Sequence, residues 1–508
     1  MRRALAAAFA VTLPVLAQSP SPDDPDRWFA SGRAALEARR AVDPIAGPAK
    51  NVILVVGDGM GVSTVTAGRI FDGQSRGEPG EDNVLSFDAF PHTALIKTYN
   101  TNAQVADSAG TATAMLSGVK TKIGVVGLND AVVPERCTAM DAAYVPTLLE
   151  LAEAAGLATG IVTTTRLTHA TPAAAYAHSP SRNWEDAVPE GAAGCRDIAA
   201  QFAEFDTGNG IEVALAGGRA NFLPEDMTDG EGAPGRRKDG RNLVDLWQQR
   251  YPSGRYVWNQ DGFDQLDPAM DGPVLGLFEP SHMDYEADRA QDVGGEPSLS
   301  EMVAFAIDKL SRASDGYFLL VEGGRIDHAH HAGNAHRALV ETQMLAQAVA
   351  TARTLTDPAD TLILVTADHS HVFTMAGYPP RGNPILGLVR RIDSETGEPQ
   401  LARDGKPYTT LGYWNGPGAI AGERAAVDAE TAQSLDYKQQ AAVPTYGETH
   451  GGEDVALYAS GPEAHLVGGT WEQHVIFHLM DHALGGLSGQ VCASGEAAVC
   501  GRGGQYGQ

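Results

Sequence analysis

A chain of 508 residues has ample length for a large core, and 43% hydrophobic content with 58 glycines marks a loop-rich globular enzyme rather than a fibrous, coiled-coil or disordered chain. Its 64 acidic residues against 37 basic ones leave a formal charge of -27, which repels nucleic acid and anionic membranes and argues against both as partners. Most of those acids form a solvated surface, so only acids inside a patterned cluster carry a chemical role.

Read from the N-terminus, Arg2 and Arg3 precede an apolar run from Ala4 to Ala17 that ends in small residues, the pattern of an export leader over residues 1–17. The run is short for a bilayer span, and no later stretch reaches the roughly 18 apolar residues a membrane helix requires. A periplasmic or secreted protein is expected, not an integral membrane protein. In an oxidising compartment the four cysteines predict two disulfides. Cys492 and Cys500 bracket a short Gly/Ala-rich segment and are expected to pair, leaving Cys137 with Cys195. No Cys-x-x-Cys spacing marks a cysteine zinc site.

Residues 18–50 read as an amphipathic helix over Asp26–Arg40 and a linker. A nearly continuous aliphatic strand follows at Asn51–Val56, as expected for a parallel strand covered on both faces. Further strands are predicted at Ala158–Thr163, Val213–Leu215, Gly316–Val321 and Thr361–Thr366, with helical patterns such as Val145–Ala155 and Leu339–Leu355 between them. This alternation predicts an α/β fold: a doubly wound, mainly parallel sheet with helices on both faces, spanning 51–500. The Gly/Pro-rich stretch at about 371–445 reads as an insertion, and residues 501–508 as a Gly-rich tail.

In such sheets ligands bind beyond the carboxyl ends of the strands, and the polar motifs fall there. Asp58 follows the first strand, Thr163 to His169 the second, Glu322 to His331 the fourth, and Asp368-His369 the fifth. Asp327 and His331 lie four apart, on one face of a helix, with metal-ligand spacing; Glu322 is an oxygen donor suited to a harder ion. His450 adds a ligand after the insertion. Ser108 opens a helical pattern where backbone N–H groups converge and an anion is welcome. No Gly-x-Ser-x-Gly elbow surrounds it, but a metal-activated serine needs no histidine base. Arg182 supplies a fork for two phosphate oxygens.

Four motifs in order, Gly57-Asp-Gly-Met-Gly-Val-Ser-Thr64, Asp107-Ser-Ala-Gly-Thr-Ala-Thr113, Glu322-Gly-Gly-Arg-Ile-Asp-His328 and Thr449-His-Gly-Gly-Glu-Asp454, resemble the alkaline phosphatase family from about Asp26 to Cys500. The animal-type enzymes are the nearer pattern, because His169 and His328 stand at their magnesium-side positions. The resemblance implies hydrolysis of phosphate monoesters through a phosphoserine on Ser108, with Arg182 on the phosphoryl oxygens. It implies one zinc on Asp327, His331 and His450, a second on Asp58, Asp368 and His369, and a magnesium on Asp58, Thr171 and Glu322 with His169 acting through water. It also implies a calcium near Phe278, Glu279 and Glu296, a homodimer, and a crown formed by the insertion. No apolar tail follows Cys500, so no glycolipid anchor is expected. The rivals are a related phosphodiesterase or sulfatase, though the Cys/Ser-x-Pro-x-Arg context of a sulfatase is missing, and a secreted metal- or phosphate-binding protein without turnover.

Overall fold

The computed structural model describes residues 25–138, 140–192, 194–394 and 396–494. The predicted leader, Cys500 as the expected partner of Cys492, and the Gly-rich tail lie outside them. The described residues divide into two compact units, split between Asp43 and Pro44. In the first, the helix Pro25–Arg40 has Asp26 in its first turn and Arg39 and Arg40 in its last, charges that complement the helix dipole.

The second unit is built on one sheet. Its strands in chain order are β1 (Asn51–Gly57), β2 (His92–Lys97), β3 (Ala158–Arg166), β4 (Val213–Gly217), β5 (Arg255–Val257), β6 (Val274–Leu277), β7 (Tyr317–Gly323) and β8 (Thr361–Ala367). Seven short strands follow: β9 (Ser370–His371), β10 (Phe373–Met375), β11 (Leu411–Gly416), β12 (Ala441–Pro444), β13 (His450–Gly451), β14 (Val455–Ser460) and β15 (Thr470–Glu472). The large sheet has ten strands in the order β15-β2-β14-β8-β1-β7-β3-β4-β6-β5. Among them only β14 runs antiparallel to its neighbours. Every residue of β1, β7 and β8 is buried, which is why these strands read as unbroken aliphatic runs.

Register places the site. Gly57 on β1 pairs with Gly323 on β7 and Ala367 on β8, so Asp58 and Asp368 leave the sheet side by side, and Glu322 stands near the end of β7 opposite Val56. Thr163 on β3 pairs with Glu322. The reading that Thr163 to Arg166 lie beyond the second predicted strand is corrected: β3 continues to Arg166, its β-branched threonines extending the ladder, and only His169 and Thr171 lie past its end. The insertion holds its own small sheet, β10-β11-β12. Cys137 and Cys195 form the expected disulfide.

Candidate active site

Ser108 is the first residue of the helix Ser108–Ser117, whose N-cap, Asp107, accepts from the Gly110 N–H at 3.2 Å. The same Asp107 carboxylate accepts from Asn100 at 3.0 Å and from Arg182 at 3.1 Å, so the cap that starts the helix also seats Arg182 beside the serine. The serine hydroxyl is buried, 3.2 Å from His369 Nε2 and 3.5 Å from Asp58 Oδ1.

Around it the strand ends deliver their acids. Asp368 Oδ1 accepts from the N–H groups of Gly59 and His369, both at 2.9 Å, which fixes its second oxygen toward Thr111 and His369. Gly59 has φ +68°, and a side chain there would collide with the His371 imidazole, so only glycine admits this approach. Asp58 is fully buried; burial and the charges of Asp368, Asp327 and Glu322 push its carboxyl well above the usual range.

Three imidazoles converge on Asp327. His371 Nε2 lies 2.8 Å from Asp327 Oδ1, His331 Nε2 3.3 Å and His450 Nε2 3.4 Å. Each ring's Nδ1 faces an acceptor: the Glu448 carbonyl for His331 at 2.5 Å, the Glu448 carboxylate for His371 at 2.5 Å, and the Ala106 carbonyl for His450 at 2.7 Å. With Nδ1–H donated to those partners, each ring turns its Nε2 inward; the Nε2 atoms of His331 and His450 are 3.1 Å apart. Nε2 atoms this close to one another and to a carboxylate share protons in the metal-free protein or a cation in their place, so this donor set fits a zinc-like ion. Although burial opposes it, the hydrogen bonds from the three histidines hold Asp327 well below the carboxylate range.

A second cluster joins Asp58, His169 and Glu322, whose ligand atoms lie within 4.8 Å of one another. Asp58 Oδ2, Glu322 Oε1, Thr171 Oγ1 and His169 Nδ1 are all buried without a hydrogen bond of good geometry. Four orphaned polar atoms in one place fit an oxygen-preferring cation, since each otherwise bears its full desolvation cost. Glu322, pushed up to about 7 by burial, is steadied on its other oxygen by Thr163 and Thr165. His169 sits 3.0 Å from Arg182, and burial with that guanidinium lowers its pKa well below the ordinary value.

Asp58, Asp327 and His369 form a third group of close ligand atoms, so every residue expected to bind zinc or magnesium falls in or beside one continuous site. His371 and Glu448 do belong to that site although sequence reasoning gave them no role. The signal was the alternation in Asp368-His369-Ser370-His371: in extended backbone, His369 and His371 share a side. Glu448 offered none, because its partners are remote in the chain. His328 lies beside His169 instead, ring centroids 5.5 Å apart, and His330 is buried between Thr64 and Tyr413.

Away from the site, Glu279 gathers with Glu231 and Asp292. Glu296 is not in that group: its Oε1 accepts from the Asp284 N–H at 2.9 Å, and Phe278's carbonyl accepts from Arg219 at 3.1 Å. The other oxygen of Glu296, Oε2, is buried without a hydrogen-bond partner, and Glu279 and Asp292 are among the carboxylates that repel it, so Glu296 borders the same acidic cluster.

The family model for alkaline phosphatase matches residues 49–485. Among curated relatives, the tissue-nonspecific alkaline phosphatase of Gallus gallus is 49% identical over 475 residues, 91% of this chain and 89% of that one. The Homo sapiens tissue-nonspecific isozyme is 47% identical over 91% of this chain and 88% of its own. Among solved structures, the alkaline phosphatase of Thermus thermophilus has a TM-score of 0.62 at 24% identity, covering 88% of this chain and 94% of that one. A variant of the alkaline phosphatase from the Antarctic bacterium TAB5, with magnesium bound in its M3 site, has a TM-score of 0.59 at 22% identity, covering 87% and 99%; both support the fold.

Proposed function

The chain belongs to the alkaline phosphatase family, and from that premise we propose that it hydrolyses phosphate monoesters through a phosphoserine on Ser108. The observation that carries this is the hydroxyl of Ser108, at a helix N-terminus, 3.2 Å from His369 and within reach of Asp58, with Arg182 tied to the preceding residue. Ser108 Oγ attacks phosphorus as the ester's P–O bond breaks and the alcohol leaves. Water then attacks the phosphoserine, freeing the hydroxyl and inorganic phosphate. Arg182 grips two phosphoryl oxygens in both halves, and the helix N-terminus favours their negative charge.

Asp327, His331 and His450 would hold one zinc, with His371 bracing Asp327. Asp58, Asp368 and His369 would hold the second, and Asp58, Thr171 and Glu322 a magnesium, with His169 facing it through water. When bound, such ions lower the pKa of a hydroxyl or water and neutralise charge building on the phosphoryl group. The magnesium in the TAB5 variant's M3 site supports the third assignment by likeness. Glu231, Glu279 and Asp292 would take a calcium: burial, with Glu231 and Asp292 adding repulsion, pushes Glu279 up to about 8 without one. A periplasmic or secreted location, a homodimer, and the division into leader (1–17), helix and linker (18–50), α/β domain (51–500) with a crown at 371–445, and tail (501–508) complete the proposal.

The experiment is hydrolysis of p-nitrophenyl phosphate at alkaline pH before and after chelation, with zinc and magnesium restored and bis(p-nitrophenyl) phosphate in parallel. Chelator-sensitive, metal-restored activity that favours the monoester is the expected result. Preference for the diester would replace this reading with a phosphodiesterase, and no turnover of either would leave a binding protein.

A further inference from the structure

The guanidinium of Arg182 meets Asp107 at a single point, Nη1 donating to Oδ2 at 3.1 Å, while its Nη2 lies 3.0 Å from His169 Nε2. Arginine–carboxylate pairs commonly close instead as a two-bond fork, the stronger geometry. What holds the fork open here is the other carboxylate oxygen. Asp107 Oδ1 accepts from the Gly110 N–H at 3.2 Å and from Asn100 Nδ2 at 3.0 Å, and both donors lie on the side away from Arg182's bond. A carboxylate only accepts, so the Asn100 atom turned toward it is the amide nitrogen.

Asn100 is buried and its backbone is fixed. Its N–H donates to the Ala103 carbonyl at 3.1 Å, and its carbonyl accepts from the Ala103 N–H at 3.2 Å, which closes a tight turn. That turn is stapled to the segment following the Ser108 helix: the Thr101 N–H donates to the Thr121 carbonyl at 2.9 Å, and Asn102 Oδ1 accepts from the Ile123 N–H at 2.9 Å. The Asn100 side chain lies so close over Gly110 that a Cβ there would sit 2.7–2.8 Å from its amide atoms, so a larger residue at 110 would push the amide off Asp107. One rigid turn therefore carries one donor to one oxygen beside the phosphoryl clamp.

We propose that Asn100 is a positioning residue for phosphoryl recognition: by pinning Asp107 Oδ1 it keeps that carboxylate from closing a two-bond fork on Arg182, and so leaves guanidinium N–H groups for the phosphoryl oxygens. Without the pin, the carboxylate can turn both oxygens toward Arg182, whose donors are then occupied by Asp107 rather than by phosphate. Asn100 acts only through Asp107. This rests on the monoesterase reading above, with Arg182 as the clamp, and deepens it.

The test uses the metal-loaded full chain and measures the Kd of inorganic phosphate near pH 8 by equilibrium dialysis, with turnover of p-nitrophenyl phosphate in parallel. Asn100→Ala and Asn100→Leu should each raise the Kd about fivefold, a part of what one hydrogen bond to a charged group is worth. Neither should raise it more than Arg182→Ala does, since a residue acting through the guanidinium cannot cost more than the guanidinium. In an Arg182→Ala background the same two changes should move the Kd by less than about twofold, whereas a residue needed only for folding would cost as much there as in the parent. Leucine keeps the volume of the side chain, so the test stands on that variant where the alanine variant does not fold. An unaltered Kd in the folded Asn100 variants, or equal losses with and without Arg182, overturns the proposal. Failure of the parent to hydrolyse p-nitrophenyl phosphate overturns the monoesterase reading itself, and this inference with it.

Discussion

At the Asp327 end of the site three imidazoles face one carboxylate; at the Asp58 end two carboxylates, Asp58 and Glu322, face one imidazole and a hydroxyl. The first arrangement holds its acid ionised, because His331, His371 and His450 all hydrogen-bond to Asp327. The second pushes its acids toward protonation, because burial acts on both and neighbouring carboxylates repel each: Asp368, Asp327 and Glu322 on Asp58, and Asp368 on Glu322. One end is close to balanced without metal, while the other needs a cation to keep its carboxylates charged. Ser108 lies between them, bonded to His369 and Asp58, so the nucleophile senses both.

The largest expected effect removes that meeting point. Ser108→Ala should lower kcat on p-nitrophenyl phosphate by on the order of 10⁴-fold, while metal content measured by elemental analysis stays at the parent level. An unaltered rate would sink the phosphoserine step.

The next effect falls on the imidazole end alone. Glu448 orients two ligand rings, His331 through its carbonyl and His371 through its carboxylate. Despite burial, hydrogen bonds to Asp327 and Glu448 push His371 up to about 10, so it is a cationic brace between two carboxylates in the metal-free protein. Glu448→Gln should weaken zinc binding by roughly 10- to 100-fold, as loss of an orienting partner does elsewhere. Turnover should return with excess zinc. Zinc titration that shows parent affinity would remove Glu448 from the site.

Much of this was legible in the sequence because the chemistry rides on buried parallel strands. Asn51–Val56 and Thr361–Thr366 declare themselves as aliphatic runs, and the residues just past them, Asp58 and Asp368, follow by rule. What stayed hidden was set by pairing across long separations. β2, β14 and β15 form the sheet edge with exposed alternate residues, and nothing local says that β14 runs against its neighbours. Glu448 is buried against His371 across 77 residues, a contact that no periodicity encodes.

The carboxylate end should reveal itself in the pH dependence of the metal-free protein. A folded-state pKa raised from 4.5 to about 7 gives Glu322 a contribution that is complete below pH 4.5 and is lost as pH rises through 7, worth roughly 3 kcal/mol at about 1.4 kcal/mol per unit. Asp327 has the opposite sign, its contribution lost only as pH falls below 3.8. After chelation Glu322 should therefore pull the Tm down between pH 5 and pH 8, a pull that bound metal removes, so its share of the gap between the two forms widens with pH. Glu322→Gln should flatten the metal-free slope between pH 5 and 7; the same slope in that variant would assign it to other groups.

The smallest effect asks whether an orphaned atom is there for an ion. Thr171 Oγ1 is fully buried and makes no well-aligned hydrogen bond, though it is near enough to Glu322 to lower that pKa slightly. A hydroxyl kept only for packing would be an unneeded cost of about 1 kcal/mol, which a valine of the same shape avoids. Thr171→Val should then raise the unfolding free energy, and with it the Tm, of the metal-free protein by up to about 1 kcal/mol near pH 6, where Glu322 is largely protonated, while weakening magnesium binding in the loaded protein. Opposite signs in the two states identify the hydroxyl as a ligand held ready at a folding cost. A fall in both would make it a structural threonine, and the contrast between the two ends would rest on Asp58 and Glu322 alone.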